Sequence, residues 1–235
     1  MIVGYVVVVE GIIGVGKTTF ARMLGKHLDA LVKTEPVDTR WLDRYYADPV
    51  RWAAEFQGRM LLERFFAHQE AQWRVMGGGW AVIDRPIHGD EAFAEIQHEL
   101  GFLDDLQFET YIRSARGLSM LFGVPAVAVK LDVSAETALR RIHNRARDHH
   151  GETESDKSRE CETEITLDYL LRLDREIDRV LDVLSQRGCR VVRLAWDVDR
   201  NEAELDAIVR DVAVRLREYS PPPGMDAAHR RVIAQ

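Results

Sequence analysis

Short apolar runs and long amphipathic stretches alternate along this chain. Five runs rich in β-branched residues, at 5–9, 30–34, 80–83, 126–132 and 190–196, read as strands. They lack the strict in-and-out alternation of a half-exposed sheet, as expected where helices cover both faces. Between them, helical spacing of apolar residues runs over 17–27, 49–76, 90–114, 134–147, 166–187 and 202–217. The second helix has the firmest limits: Asp48 stands as a cap before Pro49, and Gly77-Gly78-Gly79 cannot continue a helix cheaply. Strands followed by helices predict a parallel α/β sheet whose strand ends carry the chemistry. The polar stretch between Arg147 and Glu164 has almost no apolar anchors and reads as a mobile loop, and the tail from Ser220 as a frayed end. One domain over 1–219 is expected, with no internal repeat and no linker.

Charge and cysteine content narrow the class. The 235 residues carry 32 basic and 39 acidic side chains, a net charge of −7, with no basic block longer than His229-Arg230-Arg231. A nucleic-acid partner is not expected of that balance. Cys161 and Cys189 stand alone, without the spacing of a disulfide framework or a zinc site. There is no basic leader with a cleavable apolar segment, and the first apolar run is far too short to span a bilayer. The expectation is a soluble cytoplasmic protein with no membrane partner.

The chemistry starts at Gly11-Ile12-Ile13-Gly14-Val15-Gly16-Lys17-Thr18, which matches GxxxxGK[ST], follows an apolar strand and opens a helix. Glycines let the backbone wrap a phosphate, Lys17 reaches the β and γ phosphates, and Thr18 with the following Thr19 lies at the helix start where Mg²⁺ is held. The expected fold is therefore a P-loop NTPase: a five-stranded parallel sheet flanked by helices, with ATP as the phosphate donor. A guanine-reading NKxD is absent, and the chain is too short for motor lobes, which leaves a small-molecule kinase in front.

Further residues suit that role on physical grounds. Glu35 stands at a strand end, where a carboxylate can take the proton of an attacking hydroxyl. Asp84 ends another apolar strand in the manner of a metal-holding acid, and Arg85 beside it can pair with Glu35. Arg141 and Arg145 are four apart on one helical face, with Arg147 just beyond; planar guanidiniums suit a lid closing over phosphates. Gln57 and Arg64 are seven apart on one helix face with Met60 between them, and Phe56 and Phe93 are available to stack on a planar base.

Glu35-Pro36-Val37, Tyr46 with Asp48-Pro49, Trp52 and Phe56-Gln57, then Asp84-Arg85, Arg141-Ile142 with Arg145 and Arg147, and Leu167-Asp168-Tyr169-Leu170 follow in the order of the deoxynucleoside kinase family. The chain resembles that family over nearly its whole length. The resemblance implies Glu35 as general base, Arg145 and Arg147 as clamps in a lid over about 141–165, and a homodimer. It also implies that Tyr46 and a lid acid hold the 3′-hydroxyl, with Glu162 as the first choice for the acid and Glu164 as the alternative. The Arg64 and Asp90 pair is similar to members that accept deoxycytidine or purine deoxynucleosides rather than thymidine. Departures are Pro86 in place of serine or histidine, a lid about a dozen residues longer, and Ala94 where a stacking aromatic is expected, which implies a wider pocket. Alternative readings are a kinase of nucleoside monophosphates, with Lys33 and Arg40 as the added cations, a modified-base kinase, and a catalytically silent kinase-like subunit.

Overall fold

The structure, a computed structural model, describes residues 4–35, 38–147, 162 and 164–219; the side chains of 146 and 147 lie outside that description, as do most of the polar loop and the tail. Five strands, β1 (Val6–Glu10), β2 (Ala30–Lys33), β3 (Trp80–Asp84), β4 (Val127–Asp132) and β5 (Arg190–Ala195), form one sheet in the order β2-β3-β1-β4-β5. Every pairing is parallel. Val7, Val8 and Val9 of the central strand are wholly buried, whereas the edge strand β5 exposes Arg190 and Arg193, charges that discourage pairing with another chain. The expected α/β sheet is thus present, with its strands where the apolar runs placed them.

The helices are α1 (Lys17–Leu28), α2 (Thr39–Ala47), α3 (Pro49–Met76), α4 (Asp90–Glu99), α5 (Asp105–Ser119), α6 (Ala135–Arg147), α7 (Leu167–Gln186) and α8 (Glu202–Glu218). Two expectations need correction. The stretch 90–114 is two helices, because Gly101 turns the chain at φ 73° and Asp104 starts a new helix through a reciprocal capping box with Gln107. Residues 39–47, which the apolar pattern assigned to no element, form α2, capped by the Asp38 carboxylate on the Arg40 N–H.

Packing falls into two apolar clusters. One surrounds the sheet and includes Phe20, Ile83, Leu131, Leu170 and Ile177. The other, built on Leu61, Ala94, Leu103, Ile112 and Phe122, joins α3, α4 and α5 beside it. Ala94 is fully buried in this second cluster, so it fills helix-packing space and does not widen a pocket. Lys130 is the exception inside β4: its buried ammonium is answered by Asp174 at 2.8 Å and Asp178 at 2.7 Å, which ties the strand to α7.

Candidate active site

The phosphate loop leaves β1 at Gly11 and enters α1 at Lys17. Gly14 has φ 86°, and a Cβ there would lie 2.7 Å from the Ala138 carbonyl oxygen, so only glycine lets the loop pass under α6. Gly16 brings no capping side chain to α1, which leaves the first-turn N–H groups for an anion. Lys17 folds its ammonium back onto the carbonyl oxygens of Gly11 at 3.0 Å and Ile12 at 2.8 Å. Burial, aided by the charge of Arg85, brings its pKa down to about 8.

Thr18 donates its hydroxyl to Asp84 Oδ2 at 2.5 Å. The other carboxylate oxygen of Asp84 is buried with no hydrogen-bond partner, and burial pushes its pKa up against the pull of Lys17. An orphaned carboxylate oxygen beside a hydroxyl at the foot of a phosphate loop fits a hard cation such as Mg²⁺, which takes oxygen ligands.

Beside it, Arg85 leaves β3 in the left-handed region at φ 66°, a conformation that turns its side chain back beneath β1. Its guanidinium reaches Glu10 Oε2 at 3.3 Å, the Gly11 carbonyl at 3.2 Å and Glu35 at 3.3 Å, and lies 4.7 Å from the centre of the Phe93 ring. Glu35 also accepts from Arg64. Burial alone would raise the Glu35 pKa, but Arg85, Arg64 and Lys17 outweigh it and hold the carboxyl well below the usual range. Glu10 was missed by sequence reasoning. The signal was there, a carboxylate inside the last turn of a buried strand and directly before the first loop glycine. Its Oε1 leaves no space at Gly89, where a Cβ would sit 2.5 Å away.

A cavity of about 330 Å³ opens over these groups. It brings together Gly14, Gly16, Lys17, Thr18, Thr19, Glu35, Tyr46, Phe56, Gln57, Met60, Arg64, Asp84, Arg85, Phe93, Arg141, Arg145 and Glu162. At its inner end Gln57, Arg64 and Asp90 are 2%, 4% and 0% exposed, and Gln57 Nε2, Arg64 Nε and Asp90 Oδ2 have no hydrogen-bond partner. Buried polar atoms left in this way are costly unless a ligand meets them. Asp90 itself forms an ion pair with Arg64 and lies behind it, outside the cavity lining. Phe56 stacks on Tyr45 at 4.9 Å, and Tyr45, Trp41 and Tyr169 also line the cavity without having been singled out for it.

Arg145 is bonded to Glu162, which is buried, whereas Glu164 is exposed and does not line the cavity. Arg141, which also lines the cavity, pairs with Asp199 at 2.7 Å. The Arg147 side chain lies outside the description. Lys33 and Arg40 do not reach the cavity: Lys33 pairs with Glu70 at 2.9 Å, and Arg40 turns outward onto Asp38.

The segment that carries Asp84, Arg85 and Asp90 is propped from behind by His68, whose Nε2 accepts the Ile87 N–H at 3.2 Å. Burial holds this imidazole well below its usual pKa, with His88 adding to the shift. The native state therefore resists a proton that the unfolded chain accepts below about pH 6.5, so stability falls as pH drops through that value. The unfolding free energy from urea titrations should fall between pH 7.5 and 5.5 with a slope approaching about 1.4 kcal/mol per pH unit from this residue. His68→Gln, which keeps an acceptor for Ile87, should flatten the fall.

A parallel sheet in this strand order, with a lysine-bearing glycine loop after its central strand and acids at the neighbouring strand ends, defines a P-loop phosphotransferase. Comparison with known proteins makes the class specific. The deoxynucleoside kinase family model matches residues 7–216, and the chain belongs to that family. It is 35% identical to a deoxyadenosine kinase of Dictyostelium discoideum over 92% of this chain and 83% of that one. It is 32% identical to a deoxyadenosine/deoxycytidine kinase of Bacillus subtilis over 61% of this chain and 66% of that one. A solved deoxyadenosine kinase from M. mycoides superposes with a TM-score of 0.71 over 91% of this chain and all of its own, at 20% identity, a likeness of fold. This is an enzyme that phosphorylates deoxynucleosides with ATP.

Proposed function

We propose that the acceptor is a purine deoxynucleoside or deoxycytidine, phosphorylated at its 5′-hydroxyl in nucleotide salvage. One observation carries the reading: the buried Arg64 and Gln57 close one end of the cavity with unmet hydrogen-bond donors, and Asp90, behind Arg64, holds that guanidinium in place. The Gln57 amide can offer its oxygen to a base that presents an exocyclic amine while Arg64 donates to a ring acceptor; thymine has no such amine. The first relative's activity on deoxyadenosine agrees with the purine side of this choice. Lys33 and Arg40, engaged elsewhere, give no support to a monophosphate acceptor.

The reaction is an in-line transfer of the γ-phosphoryl. Glu35, kept ionised by its cations, takes the 5′-hydroxyl proton, and Arg85 holds the carboxylate and the incoming oxygen. Lys17 and the α1 N-terminus hold the donor phosphates, while Arg145, with Arg147, stabilises the migrating group. Thr18 and Asp84 would hold Mg²⁺, which when bound neutralises charge on the donor phosphates. Tyr46 and Glu162 hold the 3′-hydroxyl. The donor base takes a second cavity of about 200 Å³ between the phosphate loop, Arg141 and Trp196.

A coupled assay with Mg-ATP against the four deoxynucleosides and their monophosphates tests this. Turnover of deoxyadenosine, deoxyguanosine or deoxycytidine is the expected result, and a preference for thymidine would overturn the base-pocket reading. Among the described residues no helix is long and apolar enough to cross a membrane, which agrees with a cytoplasmic enzyme. The outer face of α3 exposes Leu62, Phe66, Trp73 and Met76 in one stripe, beside Met120 and Leu121. A stripe of that kind suits a second copy of the chain. Sedimentation should give a dimer for the native protein and a monomer for Phe66→Glu.

A further inference from the structure

Arg64 has two neighbours that belong to different steps. One arm of its guanidinium pairs with Asp90 behind the base pocket, and the other donates to Glu35. Glu35 is thus shared between two arginines, Arg64 on the base side and Arg85 on the phosphate side, and the Arg85 contact is the longer at 3.3 Å. Arg64 is buried and its Nε has no partner. It touches both Asp90 behind the base pocket and the proton acceptor. A planar fork has fixed directions, so an acceptor atom of a base that draws Arg64 towards itself draws it from Glu35.

We infer that Arg64 is a latch: it holds Glu35 towards the base pocket in the resting enzyme, and an arriving nucleobase takes Arg64 over and frees Glu35 to turn to the 5′-hydroxyl beside Arg85. Base recognition then acts on the chemical step as well as on affinity. Arg64 in this role is a positioning residue, because it reaches the reacting oxygen only through Glu35. The inference rests on the acceptor site proposed above and adds that an empty base pocket keeps the general base out of place.

The test uses the wild-type enzyme and an acceptor with no base, 1,2-dideoxyribose, which retains the 5′-hydroxyl. At saturating acceptor, turnover should lie at least about 10-fold below that of the best deoxynucleoside. Adding free adenine or cytosine, which fills the base pocket without a covalent link to the sugar, should raise turnover of the base-free acceptor several-fold. In Arg64→Met that acceptor should be turned over faster than by wild type and free base should no longer stimulate. The double variant Arg64→Met/Asp90→Leu, which strands no buried carboxylate, should do the same where the single variant folds poorly. A base contact that serves affinity alone moves KM and leaves the base-free kcat unchanged. Absence of stimulation by free base in wild type, with deoxynucleosides turned over normally, overturns the latch. Absence of turnover with every deoxynucleoside overturns the acceptor site itself, and the latch with it.

Discussion

Glu35→Gln should lower kcat for the preferred deoxynucleoside by about 10²-fold or more while its KM changes little. The substitution keeps the shape of the side chain and an oxygen that Arg64 and Arg85 can still meet, so the arginine frame should hold. What it loses is the ability to take a proton. The cations around Glu35 hold its carboxyl ionised throughout the neutral range, so the wild-type enzyme has the proton-accepting form there. Steady-state kinetics on the purified variant, with circular dichroism as the control for folding, gives the answer. A kcat within a few-fold of wild type would take Glu35 out of proton transfer and leave it as a tether for the two arginines.

The second large effect belongs to Arg85→Leu, which should cost stability and turnover together. Arg85 is 1% exposed and faces two carboxylates, Glu10 and Glu35, of which Glu10 is equally buried. Removing one partner of a buried charge set leaves the others unanswered, and about 3–5 kcal/mol is the usual loss. Glu10, whose pKa burial already raises, should respond by taking a proton. The double variant Arg85→Leu/Glu10→Leu should therefore recover a substantial part of the lost stability in chemical denaturation. Turnover should not recover, since Glu35 would still lack its phosphate-side partner. Equal stability of wild type and the single variant would show that the buried frame around Glu10 contributes nothing net.

Much of this was legible in the sequence, and the misses have definable causes. The apolar runs placed the strands because the inner ones, buried on both faces, admit charged residues only at their ends, Lys130 excepted, and the edge strand β5 still carries Val191, Val192 and Leu194 beside its exposed arginines. The phosphate loop was readable because its glycine spacing and lysine serve one geometry. Helix α2 was hidden: nine residues with aromatic side chains and no long apolar repeat give a weak periodic signal, and only the Asp38 cap announces it. The break between α4 and α5 was announced by Gly101 and Asp104, yet the apolar spacing on either side continues in register across them. Glu10 was passed over for another reason. A strand-terminal glutamate has many uses, and its meaning depends on Arg85, 75 residues later, being turned inward by a left-handed backbone. The sharing of Arg64 between Asp90 and Glu35 likewise exists only in three dimensions. Arg147 lies where the structure leaves the side chain undescribed, so its part in the lid rests on the resemblance.

The order of the strands also bears on how such an enzyme can change. Glu35 follows β2, Asp84 and Arg85 close β3, and the phosphate loop follows β1 in the middle. Arg141 and Trp196 come from the elements after β4 and β5 on the opposite side. In the proposed mechanism the two bases are therefore assigned to opposite halves of one sheet, while Glu162, which follows β4, reaches across to the acceptor's sugar. On that assignment, substitutions in the segments after β2 and β3 should act on the choice of nucleoside base and leave the lining of the second cavity untouched. Those that line the second cavity after β5 should act on the donor base, so the two base preferences can change separately within a single small domain.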